Sequence, residues 1–127
     1  MKKEVEALCG RVRLAAGQAV ARTAARLARE AASATPVETG RLRGSWQIAQ
    51  TPGEAKPLEP AAPGSVYPPP QIETPKPALS LYVVNPTPYA AEVELGRLGR
   101  PGAQMVLVAL GRLAGELSKE LVKELRS

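Results

Sequence analysis

Nine of the chain's thirteen prolines fall between Thr51 and Ala78, three of them in succession at Pro68, Pro69 and Pro70. Each removes a backbone donor and fixes φ, so this stretch is neither regular helix nor central strand. It divides the 127 residues into two flanks that must supply whatever packs. With the insertion set aside, about a hundred residues remain, enough for one domain with a modest core. The expectation is a single domain over 1–127, with 51–78 as a proline-rich extended arm or loop. Polyproline geometry is stiff and rises about 3.1 Å per residue, so the segment has long reach. Two readings stay open: an arm lying on a neighbouring subunit or partner ring through Val66, Tyr67 and Ile72, or a flexible surface excursion.

On the N-terminal flank Val5, Leu8, Val12, Ala16, Ala19, Thr23, Leu27 and Ala31 recur at three- and four-residue steps, which predicts a helix from about Lys3 to Ala32. Its apolar face is mostly small, so another element can approach closely. Residues 1–34 carry seven Lys/Arg against three Glu, and most of the net charge of +5 therefore sits on this helix. Arg11, Arg22, Arg26 and Arg29 lie opposite the apolar stripe, either as a solvated face or as a basic face turned to DNA or an acidic partner. No aromatic interleaving or groove-reading motif accompanies them. On the C-terminal flank Val106, Leu110, Leu113, Leu117, Leu121 and Leu125 predict one helix from about Ala103 to Leu125, widened near its start by Met105, Leu107 and Val108. Glu116, Glu120 and Glu124 are assigned to its solvated face.

Two segments between these helices have specific turn chemistry. Thr35-Pro36-Val37-Glu38 has the form of a helix start, with a capping hydroxyl, proline at the first position and glutamate three residues on. Gly40 then closes a short turn through positive φ, and Arg41 to Gln50 places Leu42, Trp46 and Ile48 at even spacing, as in a half-buried strand. A second strand ends at Val84, where Asn85-Pro86-Thr87-Pro88 stops it. Tyr89, Val93 and Gly96 fall one helical turn apart, which predicts a brief helix with Tyr89 and Val93 inward and Gly96 at its end. The fold class expected is α+β: two long helices on one face of a small antiparallel sheet built from about 42–50 and 79–85, with room for a further short strand. At the junction of the two segments Arg41 or Arg43 is expected to pair with Glu94 or Glu38, with Trp46 and Tyr89 as the large packing anchors.

Histidine and aspartate are absent, which removes the usual general base and most metal-ligand sets. Glu92 and Glu94 lie two apart on a turn, and Gly96 to Gly102 reads as a connector without the form of a phosphate loop. No catalytic, metal or cofactor residue is expected. Cys9, the single cysteine, forms no intrachain disulfide. Lys2 and Lys3 are followed by Glu4 and Glu6, which is not a signal peptide, and the apolar run Met105 to Leu110 is too short to span a membrane. A soluble protein made in the cytoplasm is expected. Aromatics are 3% of the chain and phenylalanine is absent, so the core must be Leu, Val and Ala, with apolar surface left for neighbouring copies to cover.

In its run Pro36-Val37-Glu38-Thr39-Gly40-Arg41-Leu42-Arg43, then Ser45-Trp46, then a strand ending in Asn85 followed by Tyr89-Ala90, Val93-Glu94 and Gly96, the chain resembles the tail-completion or head-tail joining family of long-tailed bacteriophages. The likeness extends in order over the whole chain. Glu38 stands where family members often carry aspartate, Leu95 where an aromatic is frequent, and the proline-rich insertion is unusually long. The resemblance implies a non-enzymatic structural protein of the virion, a head-tail connector, tail-completion or tail-terminator component, forming a ring in the neck or upper tail. It further implies a homo-oligomer, a hexamer with the dodecamer as the alternative, contacting other phage neck and tail proteins and lying near channel DNA, with no membrane and no cofactor. The alternative is a small basic DNA-binding protein acting through the arginines of the first helix.

Overall fold

The computed structural model describes residues 1–37, 40–56, 58–59, 64–97, 100–113 and 115–126. Helix α1, Lys2–Ser33, is unbroken, as its alanine content favours. It is buried over only part of its length. Residues 1–14 are exposed, and burial begins at Ala15 and continues through Ala19, Ala25, Ala28 and Ala31. The expected stripe is therefore corrected at its start: Val5, Leu8 and Val12 face solvent because no other element among the described residues reaches that far.

The expected C-terminal helix is two helices, α4 (Met105–Arg112) and α5 (Glu116–Arg126). Gly115 at φ +86° separates them, a conformation glycine adopts without the strain other residues incur. The expected leucine stripe is corrected in part, with Val106, Leu113 and Leu121 half-buried and the deepest burial near its start. Met105 and Ala109 are buried against the end of α1, whereas Leu110, Leu117 and Leu125 are about half exposed.

A smaller sheet than expected lies between them. Strands β1 (Gln47–Ala49) and β2 (Tyr82–Val84) are antiparallel, with Ile48 opposite Val83. Arg41–Gly44 is a helical turn, α2, and not strand, because Gly40 at φ +84° sets the chain into a helical entry. Leu79 stays exposed outside the ladder. After β2 come α3 (Ala90–Leu95) and a two-residue hairpin of β3 (Gly96–Arg97) and β4 (Arg100–Pro101), whose connecting residues lie outside the described set. The class is α+β. Its core joins Ala31, Ala32, Leu42, Trp46, Met105 and Ala109, with Ile72, Val83 and Val93 packed at the margin. Among the described residues no helix is long and apolar enough to cross a membrane.

Candidate functional site

The two sequence segments meet around Trp46, which is 5% exposed. Its indole Nε1–H donates to Thr35 Oγ1 at 2.8 Å, and that hydroxyl gives its one proton to the Ala31 carbonyl at 2.7 Å, with Met105 Sδ 3.1 Å away. Thr35 thus closes the end of α1 and receives the tryptophan. It does not start a helix at Pro36 and Val37, which are irregular and exposed; among the described residues helix resumes at Arg41. Glu38 and Thr39 lie outside the described residues.

Beyond them Gly40 is required twice over. Its φ is +84°, and a Cβ there would stand 2.6 Å from the Tyr67 carbonyl oxygen. Gly44 donates to the Gly40 carbonyl at 2.8 Å, and Ser45, fully buried, donates through Oγ to the Arg41 carbonyl at 2.6 Å. These bonds make α2 a rigid turn that delivers Leu42 and Trp46 to the core. Asn85 ties the second segment to it, donating from Nδ2 to the Leu42 carbonyl at 2.8 Å and accepting from Thr87 N–H at 3.1 Å. The asparagine side chain therefore joins the segments while forming the local turn that ends β2.

Ala90 and Val93 pack at the core margin, but Tyr89 is 37% exposed. The expectation of Tyr89 as a large packing anchor facing inward is corrected: Ala90 and Val93, not Tyr89, are the residues of this segment packed against the core. Glu94 is also reassigned. Its carboxylate accepts from Val106 N–H at 3.1 Å and Leu107 N–H at 3.4 Å, so it caps the start of α4, where the preceding Gln104 is left-handed and offers no side-chain cap. Among the described residues no ion pair joins Glu94 to Arg41 or Arg43, and the expected pairing with Glu38 lies outside them; Arg41 donates to the Leu58 carbonyl at 3.3 Å. Gly96, at φ +87°, ends α3.

The basic face of α1 stays exposed, but three of its four arginines are engaged within the chain. Arg26 binds Glu116 at 2.7 Å and Glu120 at 3.5 Å, and Arg22 binds Glu124 and, at 3.8 Å, Glu120. Glu120 is 5% exposed, so the glutamates assigned to a solvated face form the contact surface of α5. The four-residue spacing of Arg22 and Arg26 on one helix and of Glu116, Glu120 and Glu124 on the other was the available signal. Arg29 donates to the Ile72 carbonyl at 2.8 Å, while Arg11 remains on the exposed half of α1.

The proline-rich segment contacts its own domain. Besides Ile72 at the core margin and Tyr67 over Gly40, the Ala78 N–H donates to the Gly17 carbonyl at 3.3 Å, on a helix face with no side chain in the way. Of the three residues expected to anchor a neighbour, only Val66, 71% exposed, is turned away. Among the described residues no cluster of His, Cys, Asp or Glu could hold a metal ion.

A family model described as "Bacteriophage HK97-gp10, putative tail-component" matches residues 1–96, from α1 through both segments to the end of α3. No curated protein and no solved structure matches the chain.

Proposed function

Because the chain belongs to the HK97-gp10-like family of bacteriophage tail components, we propose that it is a structural protein of a long-tailed phage virion, forming a ring in the neck or upper tail that joins head to tail. Its work is binding and positioning, with no chemical step. The observation that carries the ring is the apolar surface the domain leaves uncovered: Leu107, Leu110, Leu117, Val122 and Leu125 on α4 and α5 are 46–58% exposed. Apolar surface concentrated on adjoining helices is characteristic of an interaction site. A closed ring buries such a patch against a different patch of the next copy. A hexamer is the favoured count and a dodecamer the alternative, with neck and tail proteins above and below.

The rigid motif junction would hold the ring-forming helices in fixed relation to the sheet. Channel DNA would lie near the ring without being gripped by Arg22, Arg26 or Arg29, since the first two are engaged by glutamates and the third by a carbonyl. No observation favours the DNA-binding alternative. Native mass spectrometry of the purified chain, together with complementation of a phage lacking it, tests the proposal. A ring in solution, and filled heads unjoined to tails in its absence, are expected. A chain that stays monomeric and whose loss leaves intact virions would refute it.

A further inference from the structure

Over residues 1–14 α1 stands clear of the domain, roughly 21 Å of helix at 1.5 Å per residue. Within it Val5, Leu8 and Val12 are 54%, 51% and 44% exposed, and their three- and four-residue spacing places them on one edge. Helix α5 runs antiparallel to α1, with Glu116 at Arg26 and Glu124 at Arg22, and ends at Arg126. Nothing among the described residues covers the edge beyond it. A helix of this length is marginal in water unless packed, and Gly10, with open space around it, weakens it further.

We infer that this projecting half of α1 pairs with the same segment of a second copy, antiparallel and about a two-fold axis. Charge selects the occupant. In a heptad reading Val5 and Val12 take the first position and Leu8 the fourth, so Glu4 and Arg11 occupy the equivalent flanking site immediately before each valine. Antiparallel packing sets these flanking sites opposite one another. Glu4 of each copy then meets Arg11 of the other, and symmetry makes the two ion pairs identical. The same register stacks Val5 on Leu8 across the axis and Leu8 on Val5.

Parallel pairing would set Glu4 against Cys9 and Arg11 against Ala16, with no ion pair. Within one chain Glu4 meets only the exposed terminal ammonium, at 3.9 Å, and Arg11 has no carboxylate within ion-pair reach among the described residues. The overlap runs to Val12 and stops short of Ala15, where burial begins, so the two domains sit at opposite ends of the pair without collision. One such contact is small, and isolated subunits would pair weakly. Subunits held in a ring would present several contacts together and join ring to ring far more tightly. The pairing itself does not depend on the ring.

Sedimentation equilibrium of the full chain over a concentration series reads the doubling step, monomer to dimer or one ring to two. Glu4→Arg alone and Arg11→Glu alone each replace both ion pairs by like-charge contacts, and the doubling constant should fall about tenfold. The Glu4→Arg/Arg11→Glu double variant restores opposite charges in exchanged order and should recover it, and Leu8→Glu should abolish doubling. Circular dichroism checks that the domain stays folded in each. Single variants that double like the parent, a double variant as weak as the singles, or doubling that survives Leu8→Glu would overturn the inference. A parent that doubles without forming a ring would defeat the ring proposal and support this one.

Discussion

Thr35 and Trp46 show how much one hydroxyl decides. Thr35 Oγ1 accepts from the indole and donates back into α1, so a single side chain closes the first helix and orients the largest residue of the core. Local sequence made Thr35 a helix cap because Pro36 follows it, but the indole 11 residues away competes for the same oxygen. Trp46→Ala removes that donor and leaves a cavity lined by alanines that cannot close it, so it should cost about 3–5 kcal/mol in denaturant unfolding. Trp46→Phe keeps most of the apolar contact and strands one lone pair of the hydroxyl, and should cost about 1 kcal/mol. Equal effects of the two variants would show that the hydrogen bond and not the packing is decisive.

At the scale of elements, polar groups join the apolar seat of Met105 and Ala109 in holding the C-terminal helices where leucines were expected. Glu94 caps α4 from another helix, satisfying two amides that Gln104 leaves open. Glu94→Ala should therefore lower stability by about 1 kcal/mol and raise amide exchange first at Val106 and Leu107. Helix α5 lies on α1 through Glu116, Glu120 and Glu124, since the facing side of α1 offers alanines flanked by Arg22 and Arg26. Glu120→Lys sets a third cation beside these two, and should free α5 to exchange while α1 and the sheet stay protected. Salt near 1 M should narrow the difference, because screening at that strength acts within about 3 Å. Unchanged exchange in α5 would mean that its leucines hold it after all.

For the molecule as a whole, the proline-rich segment acts as a strap over its own domain. Tyr67 closes on Gly40, Ile72 holds Arg29, and Ala78 lies on Gly17. Gly40→Ala introduces a Cβ where the Tyr67 carbonyl sits and disfavours φ +84°, so it should both destabilise the turn and loosen the strap. Limited proteolysis of the isolated chain should then cut within 64–78 several times faster than in the parent. Equal cleavage rates would mean that the strap is not held there. Val66 is the one of the three expected anchors still open to a neighbour, and its protection on assembly would show contact between subunits.

Periodicity made α1 and the α+β class legible, because alanine propensity and a three-to-four-residue repeat act locally. The β-forming run before Asn85, the short helix after Tyr89 and the stop at Gly96 were legible for the same reason. What periodicity could not assign was the partner of each face. The glutamates of α5 and the arginines of α1 each resemble solvated surface until the two helices are set antiparallel, when the glutamates are covered and the arginines, still about half exposed, reach across to them. Tyr89 and Glu94 likewise had a local geometry in the sequence but no neighbour: the first stays exposed, and α4 engages the second. The chain's sequence by itself determined where helix, turn and strand are possible, since those preferences depend on a few adjacent residues. Only the tertiary structure decided which side chains meet, since a buried charge or hydroxyl is placed by the partner that satisfies it.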